Sequence, residues 1–200
     1  MKNKLFIAVL TLGVILLVAS GCQKVPQAQL DLATTAVDSA KSAQADRYLP
    51  AEFVAVQDSL NMALNTIETM KSKSFLKRNY KVAAAQLDNV KISADILITK
   101  TAAKKEEVKK QAEAAVLEVT ALIAEDQELI KKAPKGKEGK AALEAIQQDI
   151  TLIENSLAAA NANLSEGDYI SAKDKLTVAK EKALSIKAEL QAAIDKYKKR

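Results

Sequence analysis

Apolar side chains along most of this chain recur at alternating spacings of three and four residues. That repeat places them along one face of an α-helix and is typical of the seam between packed helices. The three longest runs are Phe53, Val56, Leu60, Ala63, Ile67 and Met70; Leu143, Ile146, Ile150, Ile153, Leu157, Ala160 and Leu164; and Tyr169, Ala172, Leu176, Ala179, Ala183, Ile186, Leu190, Ala193 and Tyr197. No stretch shows a convincing alternation of period two, so the pattern predicts an all-α fold.

Weaker seams of the same kind fill much of the remaining sequence. A thin, alanine-rich seam predicts a first helix near 27–47, and two further seams lie between residues 80 and 130. Residues 100–111, KTAAKKEEVKKQ, separate those two seams and carry almost no large apolar group. We expect one continuous helix there, with a polar, exposed waist. The seam residues are Leu30, Ala33, Val37 and Ala40; Tyr80, Ala83, Leu87, Val90, Ala94 and Leu97; and Val116, Val119, Ile123 and Ile130.

Helix breakers are few, so each one is informative. No glycine or proline lies between Ala51 and Ala133. The breakers are Pro26, Pro50, Pro134, Gly136, Gly139 and Gly167. The predicted helices cover about 27–47, 51–72, 79–102, 105–132, 137–165 and 169–199, with a turn at 72–79.

These elements predict an elongated antiparallel helical bundle or coiled coil. Two three-helix units, 27–102 and 103–200, share one long helix, a layout similar to that of spectrin-like tandem bundles. The alternative is that the waist bends and the two units fold back into one compact bundle. Seams this regular can also pair between chains, which leaves a homo-oligomer open.

The first 21 residues have the layout of a signal peptide. Lys2 and Lys4 form a positive start, the stretch from Leu5 to Val18 is almost wholly apolar, and small residues follow. The apolar run is shorter than the roughly 20 residues that a membrane-spanning helix needs. We therefore predict a cleaved export signal over 1–21.

The only cysteine follows this signal directly. Ala19-Ser20-Gly21-Cys22 resembles the lipobox of bacterial lipoproteins, although that family prefers Leu where this chain has Ala19. The resemblance implies cleavage before Cys22, a diacylglyceryl group on its sulfur and an acyl chain on its amino group. Residues 22–26 would then form a lipidated tether, and Gln23 implies export to the outer membrane of a Gram-negative cell, facing the periplasm. The alternative is an ordinary secreted protein with a free thiol.

The residue types that the chain lacks exclude several kinds of chemistry. It has no His and no Trp, and the resemblance implies that its one Cys is blocked by lipid. The usual general base, zinc ligands and thiolate nucleophile are therefore missing. Its carboxylates are scattered between lysines at helical spacing, which is typical of solvated helix faces. We expect no enzyme, no catalytic residue, no metal site and no cofactor.

The charges also argue against one class of partner. The 30 basic and 25 acidic residues are interspersed, and much of the net charge of +5 lies near the two ends of the sequence. A nucleic-acid-binding protein concentrates basic residues and aromatics on one face. We therefore expect no nucleic-acid partner.

The two units resemble each other at a fixed offset. The matching positions are Tyr80, Ala83, Leu87, Val90, Ala94 and Leu97 with Tyr169, Ala172, Leu176, Ala179, Ala183 and Ile186. The stretch that begins at Gly167, G-D-Y-x-x-A-x-x-x-L-x-x-A, is similar to the second-helix half of a tetratricopeptide repeat, but the large aromatic of the first half is missing. We interpret this similarity as convergence between helical hairpins, not as a tetratricopeptide array. Alanine-rich hairpins behind a lipobox are similar to small bacterial lipoproteins whose helical domain has no assigned activity.

The chain ends in IDKYKKR. This tail resembles that of the major outer-membrane murein lipoprotein, whose terminal lysine is bonded to peptidoglycan. The resemblance implies Lys199 or Lys198 as a linkage residue, but the guanidinium of Arg200 cannot replace an ε-amine, so attachment requires that Arg200 be removed. The alternative is that these cations favour a helix C-terminus.

The sequence thus predicts a lipid-anchored, non-enzymatic envelope protein that acts as scaffold, adaptor or spacer. Its partners would be the membrane and an envelope protein. The alternative function is a tether between membrane and peptidoglycan through the terminal lysines. A third hypothesis is a carrier of small apolar ligands between alanine-rich helices.

Overall fold

A computed structural model describes residues 24–134 and 136–198. Within these residues the chain forms six α-helices and no strand, so the all-α prediction is confirmed. The helices are α1 (Gln27–Ser42), α2 (Ala45–Tyr48), α3 (Pro50–Lys71), α4 (Lys81–Lys132), α5 (Lys137–Ser165) and α6 (Tyr169–Lys198), with a 3₁₀ turn at Phe75–Lys77 between α3 and α4.

The chain divides into two compact units between Ala103 and Lys104. Unit 1 contains α1 to α3 and the first part of α4, and unit 2 contains the rest of α4 with α5 and α6. Helix α4 continues unbroken through this division, as its lack of glycine and proline predicts. Two ion pairs along its surface, Lys104–Glu107 at 2.9 Å and Lys110–Glu106 at 3.8 Å, link residues three and four positions apart on the helix.

The predicted polar waist at 100–111 is not fully exposed. Thr101 and Val108 are buried, because they continue the seven-residue repeat of the seam with small side chains. The Thr101 hydroxyl donates a hydrogen bond of 2.8 Å to the carbonyl oxygen of Leu97, so its burial leaves no polar group unpaired.

The predicted first helix, 27–47, is wrong at its end. Helix α1 stops at Ser42, and Gln44 takes the left-handed conformation at φ 70°. The Gln44 N–H donates to the carbonyl of Lys41 at 2.7 Å, which closes the helix end. The chain then bends into α2, and the bend turns Ala45 and Tyr48 into the core.

Unit 1 is packed largely through alanine. Small side chains on facing helices let the helix axes approach closely, and the large side chains fill the spaces between them. The alanines with no exposed surface are Ala33, Ala40, Ala45, Ala63, Ala83 and Ala94, and the larger core residues include Phe53, Ile67, Leu87, Val90 and Leu97.

In unit 2 the pairing of charges defines the helix directions. Glu118 and Glu125 of α4 form ion pairs with Lys180 and Lys187 of α6. Both members advance by seven residues from one pair to the next, so α4 and α6 run parallel. Helix α5, which connects them in the chain, runs in the opposite direction. Exposed pairs of this kind add little stability, so they set register more than stability.

The seam predicted for α6 is buried from Ala172 to Leu190 but departs from the prediction at its end. Tyr197 is 65% exposed, and Ile194 is the last buried residue of the helix. A straight α-helix has 3.6 residues per turn, so a strict repeat of 3.5 drifts off the core face along a long helix.

The turn between α5 and α6 is closed by backbone hydrogen bonds around Gly167. Asp168 N–H donates to the carbonyl of Asn163 at 2.8 Å, and Gly167 N–H donates to that of Leu164 at 3.2 Å, which is a Schellman motif. Gly167 has φ 79°, a region that side chains disfavour. Asp168 then caps α6, because its carboxylate accepts from the N–H of Ser171 at 3.3 Å and from its hydroxyl at 2.8 Å.

Gly167→Ala should lower the free energy of unfolding by about 1–2 kcal/mol, because a Cβ is strained at this φ. Urea denaturation followed by circular dichroism measures the change. Glu166→Ala is the control, since Glu166 is the exposed neighbour of Gly167 and has an ordinary helical φ of −79°. An equal loss in the two variants would contradict the assignment of strain to Gly167.

Candidate functional site

Two of the three site residues that the sequence predicts cannot be placed. The lipid attachment residue Cys22 and the linkage candidate Lys199 lie outside the described residues, as does the signal peptide. Lys198 is the last residue of α6 and is exposed. None of the helices in the described part of the chain combines the length and apolarity that are needed to span a bilayer.

The most unusual side chain of unit 2 is a carboxylate in the core. Asp126 lies on α4 with no exposed surface, on the same seam as Ile123 and Ile130. Neither of its carboxylate oxygens has a hydrogen-bond partner within the described residues. Burial of an unpaired ionised carboxylate is costly, so the group tends to keep its proton.

The surroundings of Asp126 raise its pKa. Burial raises the pKa from 3.8 to about 6, the positive charge of Lys187 opposes that rise, and the negative charge of Glu125 adds to it. Lys187 does not bond to Asp126, because its ammonium donates to Glu125. That hydrogen bond, with the nearby negative charges, raises the pKa of Lys187. Asp126 therefore titrates close to neutral pH inside the bundle.

Sequence reasoning missed Asp126, although a signal was present. The apolar residues of the second seam in the long helix pass from Ile123 to Ile130, a gap of seven residues. The alternating repeat requires a core residue between them, three positions after Ile123, and Asp126 occupies that position. An acidic residue at such a position of the repeat indicates a carboxylate that lies in the core.

The arrangement around Asp126 supports proton binding and little else. One carboxyl can take up or release a proton near neutral pH, but a nucleophile or a metal needs further groups. Among residues 24–134 and 136–198 no three His, Cys, Asp or Glu side chains lie close enough together to hold a metal ion.

Unit 2 also has a shallow surface groove between α5 and α6, with a volume of about 550 Å³. Its apolar lining includes Leu152 and Val178, which are 54% and 66% exposed. Asn155, Asp174 and Lys175 supply polar groups along the edges. An apolar strip with a polar rim has the composition of a protein-binding surface.

The comparisons with known proteins give no match. No family model, no curated protein and no solved structure is similar to this chain at the level that indicates relationship. The function must therefore be argued from the residues of this chain.

Proposed function

We propose that this chain is a lipid-anchored protein of the bacterial cell envelope that binds a protein partner through its helical surfaces, as a scaffold, adaptor or spacer, without catalysing a reaction. The observation that carries the proposal is the position of the only cysteine, Cys22. It follows a positive start, an apolar run and three small residues. Acyl chains on this residue hold the mature chain at a bilayer, because two or more chains anchor firmly where one does not.

The helical surfaces supply the binding part of the proposal. The groove between α5 and α6 exposes Leu152 and Val178 beside polar groups that can pair with a partner. Residues on rigid helices hold such a surface in a fixed shape, which lowers the entropy lost on binding. We therefore place the protein partner at this groove.

The tether to peptidoglycan is the alternative function. The exposure of Lys198 at the end of α6 favours it, because a linkage lysine must be accessible to the enzyme that forms the bond. It requires processing that removes Arg200, and also Lys199 if Lys198 carries the bond. Protein that stays on cell-wall sacculi after boiling in detergent would support the tether, whereas a scaffold is washed off.

Mass spectrometry of the mature amino terminus tests the anchor. The expected result is a chain that begins at Cys22 and carries a diacylglyceryl group and an amide-linked acyl chain. The measurement is made on protein extracted from membranes of the native host with detergent. A mature chain that begins elsewhere, or an unmodified Cys22 thiol, would remove the basis of the proposal.

A further inference from the structure

The turn between α3 and α4 holds large apolar side chains in solvent. Phe75 is 60% exposed and Leu76 is 85% exposed, and Val82 on the first turn of α4 is 61% exposed. Single apolar residues on a surface are ordinary, but two adjacent ones at the tip of a turn, with a third nearby, mark an interaction site.

The same turn is strongly basic. No acidic residue lies between Thr69 and Leu87, whereas five cations do. The cations are Lys71, Lys73, Lys77, Arg78 and Lys81. Among residues 24–134 and 136–198, only Lys71 of these five has an ion-pair partner, Glu68 at 2.7 Å. The turn therefore presents apolar and positive groups together.

Hydrogen bonds to backbone carbonyl oxygens fix the shape of this turn. The Arg78 guanidinium donates to the carbonyl oxygens of Lys73 and Lys71 at 3.0 Å each, which closes the end of α3. Lys77 N–H donates to the carbonyl of Ser74 at 2.8 Å and forms the 3₁₀ turn. Phe75 and Leu76 thus project from a pre-formed tip.

The topology of unit 1 places this tip at the end where α1 begins. The chain runs along α1 and α2 to Tyr48, reverses near Leu49, and returns along α3, which packs against both. Because α3 returns in the direction opposite to α1, its end lies towards the start of α1, and Val25 and Met70, at these two ends, pack against the same core. Exposed Lys24 precedes α1 at this same end.

We propose that the segment 71–82, with Phe75 and Leu76 at its tip, binds the surface of an anionic phospholipid bilayer. The two apolar side chains enter the interfacial region, and the lysines contact the headgroups. Each cation near an anionic surface raises affinity about fivefold. A polyanion without apolar groups would use the charges but not Leu76, whereas a bilayer uses both.

This inference rests on the proposed function in one respect only: the Cys22 lipid determines which end of unit 1 faces the bilayer. The lipid on Cys22 would emerge five residues before α1, at the end where the basic turn lies. A lipid anchor and a basic apolar patch then act as two signals on one membrane. The experiment below omits Cys22, so the inference and the proposed function can fail separately.

A single tryptophan at the tip tests the inference. The natural chain has no Trp, so Leu76→Trp in a chain of residues 24–200 gives an unambiguous fluorescent reporter. This chain keeps every residue that the structure places in the two cores. We expect its emission to shift to shorter wavelength, with protection from acrylamide, on vesicles of phosphatidylethanolamine and phosphatidylglycerol. Phosphatidylcholine vesicles should give no shift.

Leu117→Trp in unit 2 is the matched control, because Leu117 is 73% exposed and lies far along the chain from the turn. Its emission should not change on either kind of vesicle. An absent shift at residue 76, or an equal shift at residues 76 and 117, would overturn the proposal.

Paired charge variants separate a bilayer from another polyanion. Lys73→Gln with Lys77→Gln should weaken binding to the phosphatidylglycerol vesicles roughly 30-fold, whereas Lys175→Gln with Lys196→Gln in unit 2 should leave it unchanged. Leu76→Ser, at an exposed position that tolerates substitution, should also weaken vesicle binding. Vesicle binding that Leu76→Ser leaves intact, alongside equally tight heparin binding, would identify a polyanion site and refute the bilayer.

Discussion

Asp126→Asn should raise the free energy of unfolding at pH 7 by about 3 kcal/mol, the cost of ionising a group whose pKa is about 6 in the folded chain instead of 3.8. Asparagine has nearly the same shape as aspartate and no charge to bury. For a unit of about 100 residues this corresponds to a rise in melting temperature of roughly 10 °C or more. Asp126→Leu should also stabilise the unit at pH 7, because it continues the seam of Ile123 and Ile130.

The same group gives a pH dependence of defined sign. Between pH 3.8 and about 6 the folded chain keeps the Asp126 proton and the unfolded chain loses it. Its contribution to stability is therefore full below pH 3.8, falls as the pH rises through this window, and is constant above it. The Asp126→Asn side chain does not ionise and therefore loses no stability in this window, so the difference between the two proteins should grow from a small value below pH 4 to its full value near pH 7.

Urea denaturation at a series of pH values measures this difference. Working with the difference matters because hydrogen bonds from Lys104 and Lys131 lower the pKa of Glu107 and Glu128, whose effects have the opposite sign. Asp174→Asn is the matched control, since Asp174 is an exposed aspartate of the same unit. A difference that is independent of pH, or an Asn variant no more stable at pH 7, would contradict the burial argument.

Cys22→Ala should abolish incorporation of radiolabelled palmitate into the protein completely, since alanine has no sulfur to carry a diacylglyceryl group. The protein should then appear as a longer, unprocessed precursor or in the soluble fraction. Labelling of growing cells, followed by fractionation and immunoblotting, measures both outcomes. Ser20→Ala keeps a small residue before the cysteine and serves as control, with labelling expected to persist. Unchanged labelling of Cys22→Ala would exclude this residue as the anchor.

Much of the fold was predictable because packed helices require apolar residues at regular spacings in the sequence. The seam from Phe53 to Ile67 is buried as its spacing predicts, with Leu60 partly buried, and the seam from Ile146 to Ile153 is buried too. No comparable pattern in the sequence indicates the bend at Gln44. A left-handed glutamine cannot be told from any other helix residue in the sequence, and it is the bend at Gln44 that places Ala45 and Tyr48 in the core.

The candidate site was harder to predict than the fold. Asp126 occupies a position of the repeat where apolar residues are expected. An acidic residue in a lysine-rich chain is, however, ordinarily predicted to lie on a solvated helix face. Residues 72–79 lack a clear repeat, so the sequence predicts a turn there. It does not predict that Phe75 and Leu76 are exposed. Whether a side chain in a turn folds inward or outward depends on hydrogen bonds such as those of Arg78, which connect residues without periodic spacing.

The parallel arrangement of α4 and α6 has a consequence for the order in which unit 2 assembles. The α5–α6 hairpin is local and has its own closed turn, whereas the ion pairs between α4 and α6 join residues 62 positions apart. Closing the longer loop costs more chain entropy, so the α4–α5 and α5–α6 hairpins, whose contacts are closer in sequence, form before α4 and α6 pair. We expect damage to the Gly167 turn to slow folding, and loss of the ion pairs between α4 and α6 chiefly to speed unfolding.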